Sequence, residues 1–375
     1  MKTLASVKVL EERVAALTLR RSAVFVSRAA WGLLQILSIL RKPNVSQRIA
    51  IPSFLCQSPL AAVLRAGWTP MFCDVDPGTG NVSDSEWERV IGNGVDAVLF
   101  VHLFGNVGDA KRIAETCRGK GILFIEDAAQ AYGGHFGGRA IGSHGDVAII
   151  SFGHTKLIDV GQGGMVVTDH IELASEIRMR SENYADYVAD GATLSNTYRK
   201  MFYAARGQLG TMPQTARERF GGLLRIYEPL LATPSNPDVA GEILLKLNDL
   251  DRMTGGRREK ALMYCEQLKD TALIPLKIPE GSVPWRVAFR LCGIDWSTQQ
   301  SISDAIRKEG IDISNWYIPS HWLMEDSFEL DETLVETELL SKEIFQFWVD
   351  EKTNLDAVAK AAQVTTHVLC EFGYA

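Results

Sequence analysis

No stretch of the 375-residue chain approaches 18 uninterrupted apolar residues, so the sequence offers no helix built to cross a membrane. It has no C-x-x-C pair either. The six cysteines (Cys56, Cys73, Cys117, Cys265, Cys292 and Cys370) are scattered, which speaks for reduced, mostly buried thiols and against a zinc site or any other metal site. An excess of positive charge is also missing: 39 Lys and Arg against 46 Asp and Glu leave a net charge of −7, which argues against nucleic acid as a partner. No strand is followed by G-x-G-x-x-G, and neither G-x-x-x-x-G-K-[ST] nor G-x-S-x-G occurs, so dinucleotide, nucleoside-triphosphatase and hydrolase sites lose by absence. The N-terminal MKTLASVKVLEERVAAL carries Glu11 and Glu12 inside a helical pattern, unlike a secretion signal, and the expected compartment is the cytoplasm.

What is there is an ordinary α/β composition, 46% hydrophobic and 23% charged, in a chain long enough to bury a large core and divide into two domains. After a leading helix over residues 6–20, Ala23–Val26 reads as a short strand, and Ser27-Arg28-Ala29-Ala30 starts an apolar helix reaching Leu40. A strand end feeding a helix start exposes backbone N–H groups suited to a phosphate. A serine cap beside a solvated arginine fits those residues equally well. Three strand-then-helix units follow, with strands at Ile49–Ile51, Pro70–Val75 and Val95–Val101, the signature of a mostly parallel sheet.

From Ile122 to Val167 the chemistry gathers. One apolar run ends at Glu126 and Asp127, and a second, Val147–Ile150, ends at Ser151-Phe152. Lys156 follows five residues after Ser151, then the turn Gly161-Gln162-Gly163-Gly164. Chemistry in parallel sheets sits beyond the carboxyl ends of strands, so Asp127, Ser151 and Lys156 have a reason to converge. A lysine, a nearby acid and a phosphate-suited helix start fit pyridoxal phosphate. Its aldehyde needs an amine, and its ring nitrogen needs an anion. Acids at strand ends and exposed lysines are common, however, and spacing alone does not choose between the two readings.

Residues 170–255 turn helical. Between Thr193 and Tyr227 they are locally basic, with Tyr198, Met201, Phe202 and Tyr203 interleaved; a dimer-contact or capping helix pair and an amphipathic surface for a membrane or acidic ligand are both open. A helix is expected over Val239–Met253. The second domain has strand candidates at Trp285–Leu291 and before Trp316, and helices at Ser303–Glu309 and Leu355–Leu369.

In order and spacing, E-D-A-A-Q-A (Glu126–Ala131), G-x-x-G-D (Gly142–Asp146), S-F-x-x-x-K (Ser151–Lys156) and G-x-G-G (Gly161–Gly164) resemble the DegT/StrS family of sugar aminotransferases. Pro52, Ala66-Gly67, Asp74-Val75-Asp76, His102 with Gly105, and Tyr317-x-Pro-x-His321 support the likeness, which covers essentially the whole chain. The resemblance implies the pyridoxal-phosphate-dependent transferase type I fold. That is an α/β large domain over residues 1–255, with a mostly parallel seven-stranded-type sheet flanked by helices, and a smaller C-terminal α+β domain over 256–375. It implies that Lys156 carries the cofactor aldimine and later moves the proton, that Asp127 pairs with the ring nitrogen, and that Gln130 lies by the phenolic oxygen. Ser151 and the Ser27-Arg28-Ala29 turn would hold the phosphate. Tyr317, His321 and Asn236 would be substrate-side residues. The implied reaction moves an amino group from glutamate or glutamine to a keto-sugar, nucleotide-linked, or a related cyclic ketone, in a homodimer.

Several positions depart from the family. Its Gly-Thr phosphate turn is replaced by Ser27-Arg28 or Ala29-Ala30, and Leu55-Cys56 stand near the place of an aromatic, leaving Phe54 or Trp31 to stack on the ring. Gln162 replaces the acid of G-[ED]-G-G, and Pro234-Ser235-Asn236 is the nearest piece to N-x-R-M. Two alternatives follow: a sugar dehydratase of the same family, disfavoured because those enzymes have histidine where Lys156 stands, and a cofactor-binding regulatory protein without turnover.

Overall fold

A computed structural model of the protein describes residues 2–182, 191–324 and 334–374. Seven of its strands form one sheet: β1 (Ser22–Val26), β2 (Arg48–Pro52), β3 (Thr69–Cys73), β4 (Ala97–Val101), β5 (Leu123–Asp127), β8 (Val147–Ser151) and β9 (Gly164–Thr168). A two-residue ribbon, β6 (His135–Phe136) with β7 (Arg139–Ala140), lies between β5 and β8 in the chain. The sheet order is β1-β9-β8-β5-β4-β2-β3. The run β3-β2-β4-β5-β8 is parallel, and β9 lies antiparallel between β8 and β1. Strands such as Ala-Val-Leu-Phe-Val of β4 are buried along their whole length because helices cover both faces.

α1 (Lys2–Leu17) packs along β1, and its buried Glu11 accepts the Phe25 N–H at 2.8 Å and pairs with Arg178. α2 (Ala29–Leu40) and α3 (Gln57–Arg65) share one core with the aromatic faces of Gly191–Gly207, Pro213–Phe220 and Leu223–Tyr227. Tyr198, Phe202, Phe220 and Tyr227 of the basic segment are therefore spent on packing over α2 and α3. The expected helix Val239–Met253 is two helices, Ala240–Leu247 and Leu250–Gln267, with the break at Asn248-Asp249. The second runs straight across residue 255, so no loop marks that boundary.

The C-terminal part is a four-stranded antiparallel sheet, β10 (Ile274–Pro275), β11 (Arg286–Arg290), β13 (Ile344–Trp348) and β12 (Ile313–Ser314), in that order. Leu250–Gln267, Trp296–Lys308 and Leu355–Glu371 pack around its apolar core. It is fastened to the large sheet where the Phe104 carbonyl accepts the Trp285 N–H at 2.8 Å and Gly105 accepts the Val283 N–H at 3.2 Å. Gly105 has φ +83°, and a Cβ there would sit 1.9 Å from the Val283 carbonyl, so only glycine fits this seam. Among the described residues no helix is long and apolar enough to cross a membrane.

Candidate active site

The register of β9 explains how distant residues meet. Gly164 pairs with Val26 on one side and with Ser151 on the other, so the carboxyl ends of β1 and β8 flank the start of one strand. The Gly163 N–H then donates to the Ser27 carbonyl at 2.9 Å, and the Phe152 N–H donates to Gly163. Gly164 is forced by this closeness: a Cβ would lie 2.5 Å from the Ala29 nitrogen and 2.7 Å from the Arg28 carbonyl carbon. Both contacts are backbone and cannot swing aside. Gly164→Ala should therefore cost about 1–3 kcal/mol, read as a lower urea midpoint, and should tilt the start of α2.

Above this edge lies a cavity of about 630 Å³. Lys156, Asp127, Gln130, Ser151, Ser27, Arg28, Ala29 and Tyr317 all line it. So do Cys56, Ser58, Tyr227, Trp285 and Trp316, which sequence reasoning did not single out.

Lys156 is held from behind. Thr155 takes φ +69°, a conformation that costs a β-branched residue of order 1–3 kcal/mol, and its neighbours fix it there. Its N–H donates to Asp159 at 2.8 Å, and its carbonyl accepts the Trp285 indole N–H at 2.7 Å. Buried Arg257 donates to the Lys156 carbonyl at 3.2 Å while paired with Glu351 at 3.0 Å. The amine lies 5.0 Å from the Trp285 ring centroid. Burial pulls its pKa below the ordinary lysine value, with Arg286 and Arg257 pushing the same way; Cys56 and Asp127 oppose.

Asp127 ends β5 almost fully buried and accepts the Ala129 N–H at 2.9 Å. Burial raises its carboxyl, while that bond, the Lys156 charge and the nearby His102 act against the rise. Behind it the His102 ring meets Glu126 at 3.1 Å. Because the Gly108 N–H donates to His102 Nδ1 at 3.2 Å, the proton of the neutral ring is on Nε2, facing Glu126. Gln130 is oriented by the Phe104 N–H, which donates to its Oε1 at 2.7 Å, so its amide nitrogen donates to the Tyr317 hydroxyl at 3.1 Å.

Four expected site residues stand elsewhere. Phe54 is wholly buried, stacked on the Tyr317 ring at 5.0 Å, and backs the cavity wall; Leu55 and Cys56 face the space in its stead. Trp31, the other stacking candidate, is buried in the core under α2. His321 is buried with Nδ1 2.7 Å from the Ser53 hydroxyl and Nε2 3.4 Å from Glu338. Asn236 caps the short turn Pro237–Val239 by accepting the Asp238 N–H, while Thr233 and Pro234 reach the cavity.

The lining residues fit a flat aldehyde with a phosphate tail. The Ser27 hydroxyl is buried with no hydrogen-bond partner among the described residues, at the mouth of a twelve-residue helix whose first amides have no acceptor one turn earlier. Glycine at 164 keeps bare backbone where a side chain would run into the first residues of α2. The amine and the carboxylate share the same enclosure.

Known proteins give the same picture. A dTDP-4-dehydro-2,3,6-trideoxy-D-glucose 4-aminotransferase of Saccharopolyspora spinosa is 29% identical over 73% of this chain, a match spanning 66% of its own length. A GDP-perosamine synthase of Caulobacter vibrioides is 37% identical over 35% of each chain. The aminotransferase TlmJ of Streptoalloteichus hindustanus, 24% identical, shares the fold over 98% of this chain and 91% of its own at a TM-score of 0.76. Residues 3–203 match the profile of a single family, and the chain belongs to it: the DegT/DnrJ/EryC1/StrS aminotransferase family.

Proposed function

We propose that the protein is a pyridoxal-phosphate-dependent aminotransferase that moves an amino group from glutamate or glutamine to a keto-sugar, nucleotide-linked or a related cyclic ketone. The observation that carries this reading is the enclosure of Lys156 and Asp127 in one cavity over the start of α2. The cofactor supplies an aldehyde that condenses with primary amines and a protonated ring that takes up the electron pair left on the substrate carbon. Lys156 provides the amine, and its lowered pKa keeps more of it unprotonated near neutrality, ready to condense and later to carry a proton. Asp127, beside a cationic ring nitrogen, holds that nitrogen protonated. Ser27, Ser151, the Arg28-Ala29 turn and the α2 amides take the phosphate. Gln130 and Tyr317 present a fixed amide and hydroxyl on the ring side.

Retention of a lysine at position 156 speaks against the dehydratase reading, since His154, 84% exposed and 3.8 Å from Asp159, is no substitute for it. The setting that goes with this reading is a homodimer in the cytoplasm. Adding pyridoxal phosphate should produce a visible absorbance band, and glutamate should bleach it. Borohydride added beforehand should fix the cofactor mass to the peptide bearing Lys156. A protein that takes the label but is not bleached by glutamate, glutamine or any other amino acid is not an aminotransferase.

A further inference from the structure

A second cavity of about 600 Å³ adjoins the first, and Thr155 and Trp316 line both. Four arginines line it, Arg199, Arg206, Arg286 and Arg307, against one carboxylate, Asp312. Arg307 is neutralised by Asp304 at 2.8 Å. Arg206 and Arg286 are different: they are 4% and 6% exposed, and neither touches a carboxylate among the described residues. Arg206 donates to Gln299 at 2.5 Å and to the Asn315 carbonyl at 2.8 Å; Arg286 donates to Gln346, at 3.5 Å. The Nε–H of each has no acceptor among the described residues.

A buried cation without a counter-charge is costly and is rarely kept for folding alone. Burial pulls Arg206 down to about 9 and Arg286 to about 10, a measure of how poorly the protein alone solvates them. Both are nevertheless held rigid by aromatic faces. Arg286 lies 4.4 Å from the Trp285 centroid and 3.8 Å from that of Trp348, and Arg206 lies 4.7 Å from that of Trp296. Fixed guanidinium forks with spare donors, facing an open space, are what a bidentate oxyanion requires. The link to the chemistry is the Trp285 ring, which carries Arg286 and, at 5.0 Å, the Lys156 amine.

We propose that this second cavity is the oxyanion subsite of the reaction at Lys156, with Arg206 and Arg286 gripping the anionic end of a substrate whose reacting end lies in the first cavity. The inference rests on the aminotransferase reading. The oxyanion is either the phosphate of the acceptor or the carboxylate of the donor, and pyrophosphate and glutarate each mimic one of them.

The full-length protein loaded with cofactor is titrated with pyrophosphate, and separately with glutarate, at fixed ionic strength, following tryptophan fluorescence and heat. Saturable binding is expected, at least ten-fold weaker in Arg286→Gln and in Arg206→Gln and intermediate in Arg286→Lys, which keeps the charge but loses the fork. A preference for pyrophosphate assigns the subsite to the acceptor, and a preference for glutarate assigns it to the donor. No saturable binding of either ion by the unmodified protein overturns the proposal, whatever the folding of the variants. So does an affinity unchanged in both glutamine variants. Lys156→Ala should bind the same anion at wild-type strength, so failure of the lysine label and failure of the anion subsite are read separately.

Discussion

Lys156→Ala is expected to give a folded protein that borohydride no longer labels and whose reaction with glutamate is slower by about 10²–10⁴-fold, the usual contribution of one positioned acid–base group. The size of the loss follows from how narrowly this amine is placed. It extends from a segment pinned by the left-handed Thr155, by Arg257 on its carbonyl and by Trp285 on its neighbour's carbonyl, so no nearby lysine can take its position. Cys56 and Asp127 are its close polar company, and neither supplies a primary amine. Burial lowers its pKa, so at a given pH a larger share of the wild-type amine is unprotonated than of an ordinary lysine. The label is read by peptide mass and the rate by single-turnover absorbance. Wild-type rates in the alanine variant would remove Lys156 from the chemistry altogether.

The reasons that made Lys156 and Asp127 legible in the sequence are the ones that hid their supports. Asp127 ends one apolar run and Lys156 follows five residues beyond the strand of the next, and a parallel sheet puts strand ends on one edge, so pattern alone brought them near each other. The contacts that fix Lys156 come from 101 and 130 residues away in the chain, through Arg257 and Trp285, and no local spacing announces them. Phe54 was misjudged because β2 ends at Pro52. Beyond a strand end the in–out alternation lapses, and one residue decides between facing the cavity, as Leu55 does, and packing behind it. The family resemblance placed His321 on the substrate side, but Ser53 and Glu338 occupy both of its nitrogens. The strand β13 went unread because its Ile-Phe-Gln-Phe-Trp follows a helix without a break, Glu343 ending one element and Ile344 opening the next.

Asp127→Asn should push activity and stability in opposite directions. The asparagine keeps an oxygen for the Ala129 N–H, now accepted at 2.9 Å, so the local backbone has no reason to move. What is lost is the negative charge proposed to pair with the ring nitrogen. The glutamate half-reaction should slow by about 10²–10³-fold, on the scale of removing one preorganised electrostatic contact, while borohydride labelling of Lys156 persists. In the cofactor-free protein the sign reverses. Burial raises the Asp127 carboxyl, so the folded chain keeps that proton to a higher pH than the unfolded chain does. Stability then falls as pH climbs from the ordinary aspartate value of 3.8 through the raised one, and it stays lower above. Asparagine has no such proton to lose. The apo variant should therefore match the wild type in acid and melt at a higher temperature at neutral pH, with a flatter dependence of Tm on pH. A carboxylate that the fold would be more stable without, yet that the reaction cannot lose, is held in place for its chemistry. An apo variant less stable than wild type at neutral pH would make Asp127 a structural residue and would leave the ring nitrogen without its proposed partner.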